Sequence, residues 1–476
     1  MFSRLLLLTL TLLLASPPPA SARDDLLGLE DILASVRQHY PPLLAAWLEQ
    51  DIAAGKVRRA EGAFDPIISA ALMTRPQNYY TASNGQFMVT QPLRDSGGKV
   101  YAGYRLTSGF LPSYERKIRT ADGGEAVVGF SLPFLRNRDF DGRRASLSQA
   151  ELDRELARPN ILRQYLNFMR ASRISYFNWV AAGKELEAAE ALLKVAKDRD
   201  DALRQQLEEG AIAAIVRTDN RRLVVAREIG VVRARRAFEA ASIALSLFHR
   251  EARTGTTMMP RREQLPDGFP PLQLLDELTL VNDRGRALFR RPEIRQVEIF
   301  VAKAKVDRRL AQNDLKPNLD LTVELNQALG GDLPKDIENT EITALMEFSV
   351  PIGRNEAKGR IEAINANLGQ LTKEKEFARD SILADANDSF SAVTAAYLTL
   401  EQTTENVRLS EILENAEKEK FNEGASDLLA VQIREQATFD ARILEINALR
   451  DYFRALADYF AAVAKDSPTH LIPVSR

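Results

Sequence analysis

The chain repeats itself, and that limits what it can fold into more than any other feature. Pro41-Pro42-Leu43 is answered by Pro292-Glu293-Ile294, and the run Ala60 to Pro66 by Ala311 to Pro317, both at an offset of 251. Phe130 to Asn137 (FSLPFLRN) then matches Phe348 to Asn355 (FSVPIGRN) at five of eight positions, at an offset of 218. Gly210 follows Asn137 by 73 residues, and Gly424 follows Asn355 by 69. Matches in one order at similar spacing mean that one supersecondary unit occurs twice. The two offsets differ by 33, so the first copy carries about that many extra residues between its strand motifs. They include Phe87 to Gly109, rich in Tyr, Gly, Ser and Thr, and predict an added hairpin or a long loop.

Within each copy, the segments after Pro66 and Pro317 alternate. Leu319, Leu321, Val323 and Leu325 fall on one face of a strand, and Asp320, Thr322 and Glu324 on the other. Glu341 to Ser349 repeats the pattern, with Ile342, Ala344, Met346 and Phe348 opposite Glu341, Thr343, Glu347 and Ser349. The first copy is less regular, with Ile68, Ala70 and Leu72, then Ala126, Val128, Phe130 and Leu132. Period-two runs of about nine residues suit a transmembrane strand that is apolar toward lipid and polar toward a lumen. They also suit a soluble sheet with one wet face. Tyr79, Tyr80, Tyr101, Tyr104 and Tyr114 fit an interfacial girdle or simple loop positions.

The rest of each copy reads as helix. Ala145 to Glu209 and Ala357 to Glu423 are helical runs, with Pro159 expected to bend or interrupt the first. At 1.5 Å per residue, 60–70 residues make a rod of roughly 90–105 Å. Leu186, Ala189, Leu193, Ala196, Leu203 and Leu207 keep 3/4 spacing broken at Asp200, and Ile446, Leu449, Phe453, Leu456, Phe460 and Val463 keep it unbroken. Such spacing specifies coiled-coil seams, although an ordinary bundle also satisfies it. Each run stops at a glycine, Gly210 or Gly424, and another helix follows, which predicts two antiparallel helical hairpins. Pro260, Pro266, Pro270 and Pro271 make 250–283 a wrapping linker between the copies.

Arg4, the apolar run Leu5 to Leu14 and Ala20-Ser21-Ala22 together form a secretory signal peptide over residues 1–22. The chain has no cysteine, so neither a disulfide nor a lipid on an N-terminal cysteine is expected. No later stretch approaches 18 consecutive apolar residues, which leaves a closed β-barrel as the means of spanning a membrane. A net charge of -2, from 64 basic and 66 acidic residues, gives no reason to expect nucleic acid. His39, His249 and His470 have no ligand-spaced partners, and no nucleophile elbow, P-loop or zincin motif is present. Neither an enzyme, a metal site nor a cofactor is expected.

This duplicated order resembles the TolC family of outer membrane efflux proteins, the outer membrane factors. It comprises an export signal, a Pro-led helix start, Pro-led strands, and long helices turning at Gly210-Ala211 and Gly424-Ala425-Ser426. The stretch from Phe134 to Asn137 and on to Arg143-Arg144-Ala145 is similar to the family's passage from strand to periplasmic helix. The resemblance covers nearly the whole mature chain. It implies a mainly α fold with a small β part: long antiparallel helical hairpins forming an α-barrel, plus four transmembrane strands per protomer in a trimeric 12-strand β-barrel. The expected layout is a first repeat at 23–249, the linker at 250–283, a second repeat at 284–466 and a tail at 467–476.

The resemblance further implies a homotrimer in outer membrane lipid of a Gram-negative cell, with helices in the periplasm. It would be a passive exit duct of a tripartite efflux or type I secretion system. A periplasmic adaptor (membrane fusion protein) and an inner-membrane RND pump or ABC exporter would be its partners. The family closes its periplasmic mouth at the helical turns, here Gly210–Arg222 and Gly424–Arg434, where an adaptor would also dock. Some members carry an acidic residue six positions after each turn glycine; those positions here hold Val216 and Ala430. Asp219 and Asp427 lie near but out of register, and Phe421 keeps an aromatic three positions before Gly424. An apolar constriction of Ile212, Ile215, Val216, Leu428 and Leu429 is therefore expected. Asp320, Thr322, Glu324, Glu341 and Glu347 would face the lumen. The alternative is a periplasmic coiled-coil scaffold or adaptor without a pore, which keeps the helices and makes the strands a soluble sheet.

Overall fold

The computed structural model describes residues 26–77, 81–110, 119–331 and 339–468. The expected signal peptide, Tyr79, Tyr80, Tyr114 and His470 lie outside them. The first copy runs α1 (Leu29–His39), α2 (Pro41–Glu61), β1 (Ile67–Arg75), β2 (Ala82–Pro92), β3 (Lys99–Gly109), β4 (Glu125–Pro133), α3 (Gly142–Glu208) and α4 (Ala214–Ser246). The second runs α5 (Glu277–Arg290), α6 (Pro292–Asp314), β5 (Asn318–Ala328), β6 (Thr340–Ser349), α7 (Asn355–Asn422) and α8 (Leu428–Ala462). Pro41 and Pro292 each open a helix, where a missing N–H costs nothing. Pro66 and Pro317 each stand directly before a strand.

The strands form one antiparallel sheet in chain order β1-β2-β3-β4-β5-β6. Six strands replace the expected four, because the extra residues of the first copy fold as the hairpin β2–β3. The insertion is a complete hairpin, so the up-and-down alternation continues from β1 through to β4. Its inner turn is fastened to the start of α3. Arg143 Nη2 donates to Gly97 O at 2.9 Å and Arg144 Nη1 to Asp95 O at 3.0 Å. Gly97 has φ +70°, and a Cβ there would stand 2.0 Å from Asn137 O, so only glycine fits this turn. Asp141 caps α3, accepting the Arg144 N–H at 3.0 Å.

The chain forms two compact units. One holds residues 26–40, Ala171–Leu274 and Ala395–Ala457; the other holds Pro41–Arg170, Leu275–Thr394 and 458–468, including the whole sheet. In the first unit, α3 and α4 lie antiparallel, with Asp200 beside Arg217, Ala196 beside Asn220 and Leu192 beside Arg227. α7 and α8 do the same, with Glu411 beside Arg442 and Thr404 beside Glu445. The linker wraps this unit. Phe269 stacks on Phe177 and Phe453, and Tyr452 Oη donates to Gln273 O at 2.6 Å. Leu265 lies so close over Gly183 that a Cβ there would meet it at 2.5 Å. The final residues of the expected linker, from Glu277 on, instead begin α5, because Asp276 caps that helix by accepting the Thr279 N–H at 2.7 Å. Pro159 does not interrupt α3, whose helix is continuous from Gly142 to Glu208.

In the second unit, Tyr165, Met169 and Ile161 of α3 are buried, as are Leu43, Ile299 and Ile382. Tyr459 donates its hydroxyl to buried Asp283 at 2.9 Å. Burial, reinforced by that carboxylate, pushes the Tyr459 hydroxyl well above its ordinary pKa.

Candidate functional site

Two regions carry the features that bear on function, and each belongs to one unit. The first is the pair of helical turns. Both end a long helix on a glycine in the left-handed region, Gly210 at φ +72° and Gly424 at φ +77°. Both make the same pair of bonds. Gly210 N donates to Leu207 O at 3.0 Å and Ala211 N to Gln206 O at 2.8 Å; Gly424 N donates to Phe421 O at 3.0 Å and Ala425 N to Lys420 O at 2.8 Å. This is the Schellman closure, which satisfies the last carbonyls of each helix.

The acidic residues near the turns have local partners. Asp427 Oδ1 accepts the Ala430 N–H at 2.8 Å and caps α8, while Asp219 pairs with Arg222 one turn along α4 at 3.3 Å. Val216 and Ala430 are half-buried, Ile212 and Leu428 likewise, and Ile215, Leu429 and Phe421 are exposed. Exposed apolar residues therefore flank both turns.

Above the turns lies a cluster that sequence motifs do not reveal. Glu435 of α8 is 3% exposed and holds two arginines. Arg227 of α4 reaches its Oε2 at 3.2 Å, and Arg199 of α3 bonds its Oε1. Arg227 Nη1 also donates to Leu192 O at 3.0 Å, while burial depresses the pKa of its guanidinium. The triad joins the first hairpin to the second. Its one sequence signal is spacing, since Glu435 sits in step with the buried Val431, Thr438 and Ala441 of α8.

The second region is the sheet. The register places Ile68, Val89, Ala102, Val128, Leu325 and Ile342 in one cross-strand row. Parallel rows of the same face hold Phe87, Tyr104 and Ala126, then Phe130, Val323 and Ala344. This apolar face is open: Leu72 is 78% exposed, Ile342 71% and Ile68 69%. An uncovered apolar surface of this extent marks contact with lipid or protein. Asp320, Thr322, Glu324, Glu341 and Glu347 all lie on the opposite face. Tyr101 lies there too, bonded to Glu324, and so is neither a loop residue nor on the face a girdle would need; Tyr104, also in β3, is on the apolar face and donates to Gly123 O at 2.7 Å. Glu324 is not a free carboxylate, because Arg105 grips it through both oxygens at 2.8 and 3.1 Å.

The family model for the outer membrane efflux protein matches residues 284–463. The fold extends that likeness over the first copy as well. VceC, an outer membrane protein of Vibrio cholerae, superposes with a TM-score of 0.64 at 15% identity, over 91% of this chain and 95% of its own. The CmeC outer membrane channel of Campylobacter jejuni gives 0.64 at 14%, over 91% and 85%. The open-state MtrE outer membrane channel of Neisseria gonorrhoeae gives 0.63 at 17%, over 91% and 88%. The chain thus has the TolC-type fold of long helical hairpins with a small antiparallel sheet. No curated protein sequence matches it. Among the described residues no helix is long and apolar enough to cross a membrane, and no cluster of His, Asp and Glu would hold a metal ion.

Proposed function

We propose that this protein is an outer-membrane efflux duct that conducts passively from periplasm to exterior. The single observation that carries the reading is the sheet. It has strands of 9–11 residues, one face apolar and uncovered, the other lined with carboxylates, arginine and hydroxyls. Those are the lengths and the alternation that a membrane barrel requires.

Six strands do not close a barrel alone. β1 and β6 each pair on one side only among the described residues, and an even strand count makes β6 of one copy antiparallel to β1 of the next. Three copies would supply eighteen strands, giving a barrel about 1.5 times as wide as the twelve-stranded one expected from four strands per copy. The helical hairpins would extend into the periplasm. A periplasmic adaptor would dock near Gly210 and Gly424 and connect the duct to an inner-membrane RND pump or ABC exporter.

The mouth is closed by apolar side chains, chiefly Ile215 and Leu429, rather than by an acidic ring. The local pairing of Asp219 and the capping role of Asp427 support this. Asp427→Asn keeps the cap, since asparagine caps as well as aspartate. It should leave the closed pore closed, and a widely open pore in D427N or Asp219→Ala would contradict the apolar gate. Fractionation tests the whole reading. A heat-modifiable, detergent-extracted trimer in the outer membrane is expected, whereas a soluble monomer would identify a periplasmic scaffold instead.

A further inference from the structure

The inserted hairpin does more than add two strands. On the polar face, β1 and β4 to β6 carry Glu125, Asp320, Glu324, Glu341 and Glu347 against the single cation Arg75. That leaves a net of four negative charges per copy. β2 brings no charged residue, and β3 brings Lys99 and Arg105. The hairpin's strands therefore halve the negative charge of this face.

Arg105 is placed where it counts most. Its Nη1 lies 2.8 Å from Glu324 Oε1 and 3.3 Å from Glu125 Oε1, and its Nη2 lies 3.1 Å from Glu324 Oε2. A forked contact of this kind fixes a guanidinium on a carboxylate. The cluster joins three adjacent strands and depends on a gap. Tyr101 lies across Gly129 to donate to Glu324 Oε2 at 3.0 Å, and a Cβ at Gly129 would stand 2.5 Å from the Tyr101 ring. The side chains of Arg105, Glu125 and Glu324 keep 29%, 21% and 20% of their exposure, so an ion beside the sheet would feel their charge.

We propose that Arg105, supplied by the inserted β2–β3 hairpin and clamped between Glu125 and Glu324, is a charge-selectivity determinant of the barrel wall. This rests on the channel reading. The hairpin turns a strongly cation-attracting wall into a weakly attracting one, which admits anionic cargo that the bare carboxylate wall would repel. Tyr101 is a positioning residue that holds Glu324 toward Arg105.

The test is the reversal potential of the purified trimer in planar bilayers under a potassium chloride gradient. One unit charge acting on an ion about 10 Å away through water changes its local concentration about twofold. That factor acts in opposite directions on cations and anions, so Arg105→Gln should raise the cation-to-anion permeability ratio about fourfold, and Glu324→Gln should lower it by about as much. Arg105→Lys should keep the wild-type ratio. The double variant R105Q/E324Q has the wild-type net charge and should return to the wild-type ratio. A conducting R105Q channel with an unchanged ratio overturns the proposal and leaves the duct standing. A wild-type protein that assembles no membrane-inserted trimer overturns both. Should R105Q fail to assemble, E324Q and R105K decide, and an unchanged ratio in E324Q overturns the proposal.

Discussion

The two copies of the repeat agree at their helical turns and disagree at their strands. Gly210 and Gly424 close their helices with the same two hydrogen bonds at the same distances, and both glycines are left-handed. Between Pro66 and the start of α3, however, the first copy has four strands, where the second has two. A helix end is closed by a few backbone groups, so a left-handed glycine can give both copies the same closure. A sheet grows by whole hairpins. Adding two strands preserves the antiparallel alternation and the apolar face, whereas adding one would reverse every later strand. The difference teaches that a sheet can widen in steps of two strands per copy while the turn chemistry of the two copies stays the same.

Removing the hairpin gives the largest effect. Joining Arg75 to β4 by a short turn, with 82–109 deleted, should leave a trimer whose barrel is about one third narrower. Polymer exclusion from the external side measures this. An unchanged cut-off would mean that the hairpin does not contribute to the wall.

The buried triad comes next. Glu435→Ala leaves Arg199 and Arg227 without their carboxylate, and breaking such a buried pair costs about 3–5 kcal/mol. Thermal unfolding and trypsin cleavage near the turns would report it. A loss under about 1 kcal/mol would show that the arginines find other partners or water.

Asp141→Ala removes the cap of α3 and should cost about 1–2 kcal/mol in chemical unfolding. Burial alone would raise this carboxyl, but the Arg144 backbone and side chain and the nearby Arg143 outweigh it and hold it below its ordinary range. The folded pKa is thus depressed. Its contribution is fully present above the unfolded value of about 3.9 and is lost as pH falls through the lower folded value. The D141A variant should lack that acid-dependent loss.

An effect of similar size tests the likeness of the turns. A Cβ added at either glycine would meet open space, so Gly210→Ala and Gly424→Ala should each cost only the left-handed penalty, about 1–2 kcal/mol, and equally. Unequal costs in chemical unfolding would show that one turn bears a constraint that the other lacks.

Much of this is legible in the sequence, for identifiable reasons. The second copy's strands read cleanly because Asn318 to Asn326 and Glu341 to Ser349 alternate without a break. Leu207-to-Gly210 and Phe421-to-Gly424 announce the turns because only glycine takes that φ at no steric cost. β2 and β3 stay open between loop and hairpin because Gly85, Gly103 and several hydroxyl residues dilute their alternation. Tyr101 falls among the girdle tyrosines in the sequence because its partner Glu324 lies 223 residues away. Glu435 and Arg227 pass as solvated charges, since single-chain periodicity does not say which charge of a long helix turns inward to meet another. Pro159 promises an interruption that the packing of Ala157 and Ile161 on either side overrides.

The central claim is that six strands from each of three copies close one conducting barrel. Single-channel recording of the purified, detergent-extracted protein tests it most directly, with polymers of graded size applied from the external side. Discrete conducting steps from a heat-modifiable trimer are predicted, with entry of polymers too wide for a twelve-stranded barrel. A soluble, non-conducting monomer, or a trimer with the narrower cut-off, would contradict it.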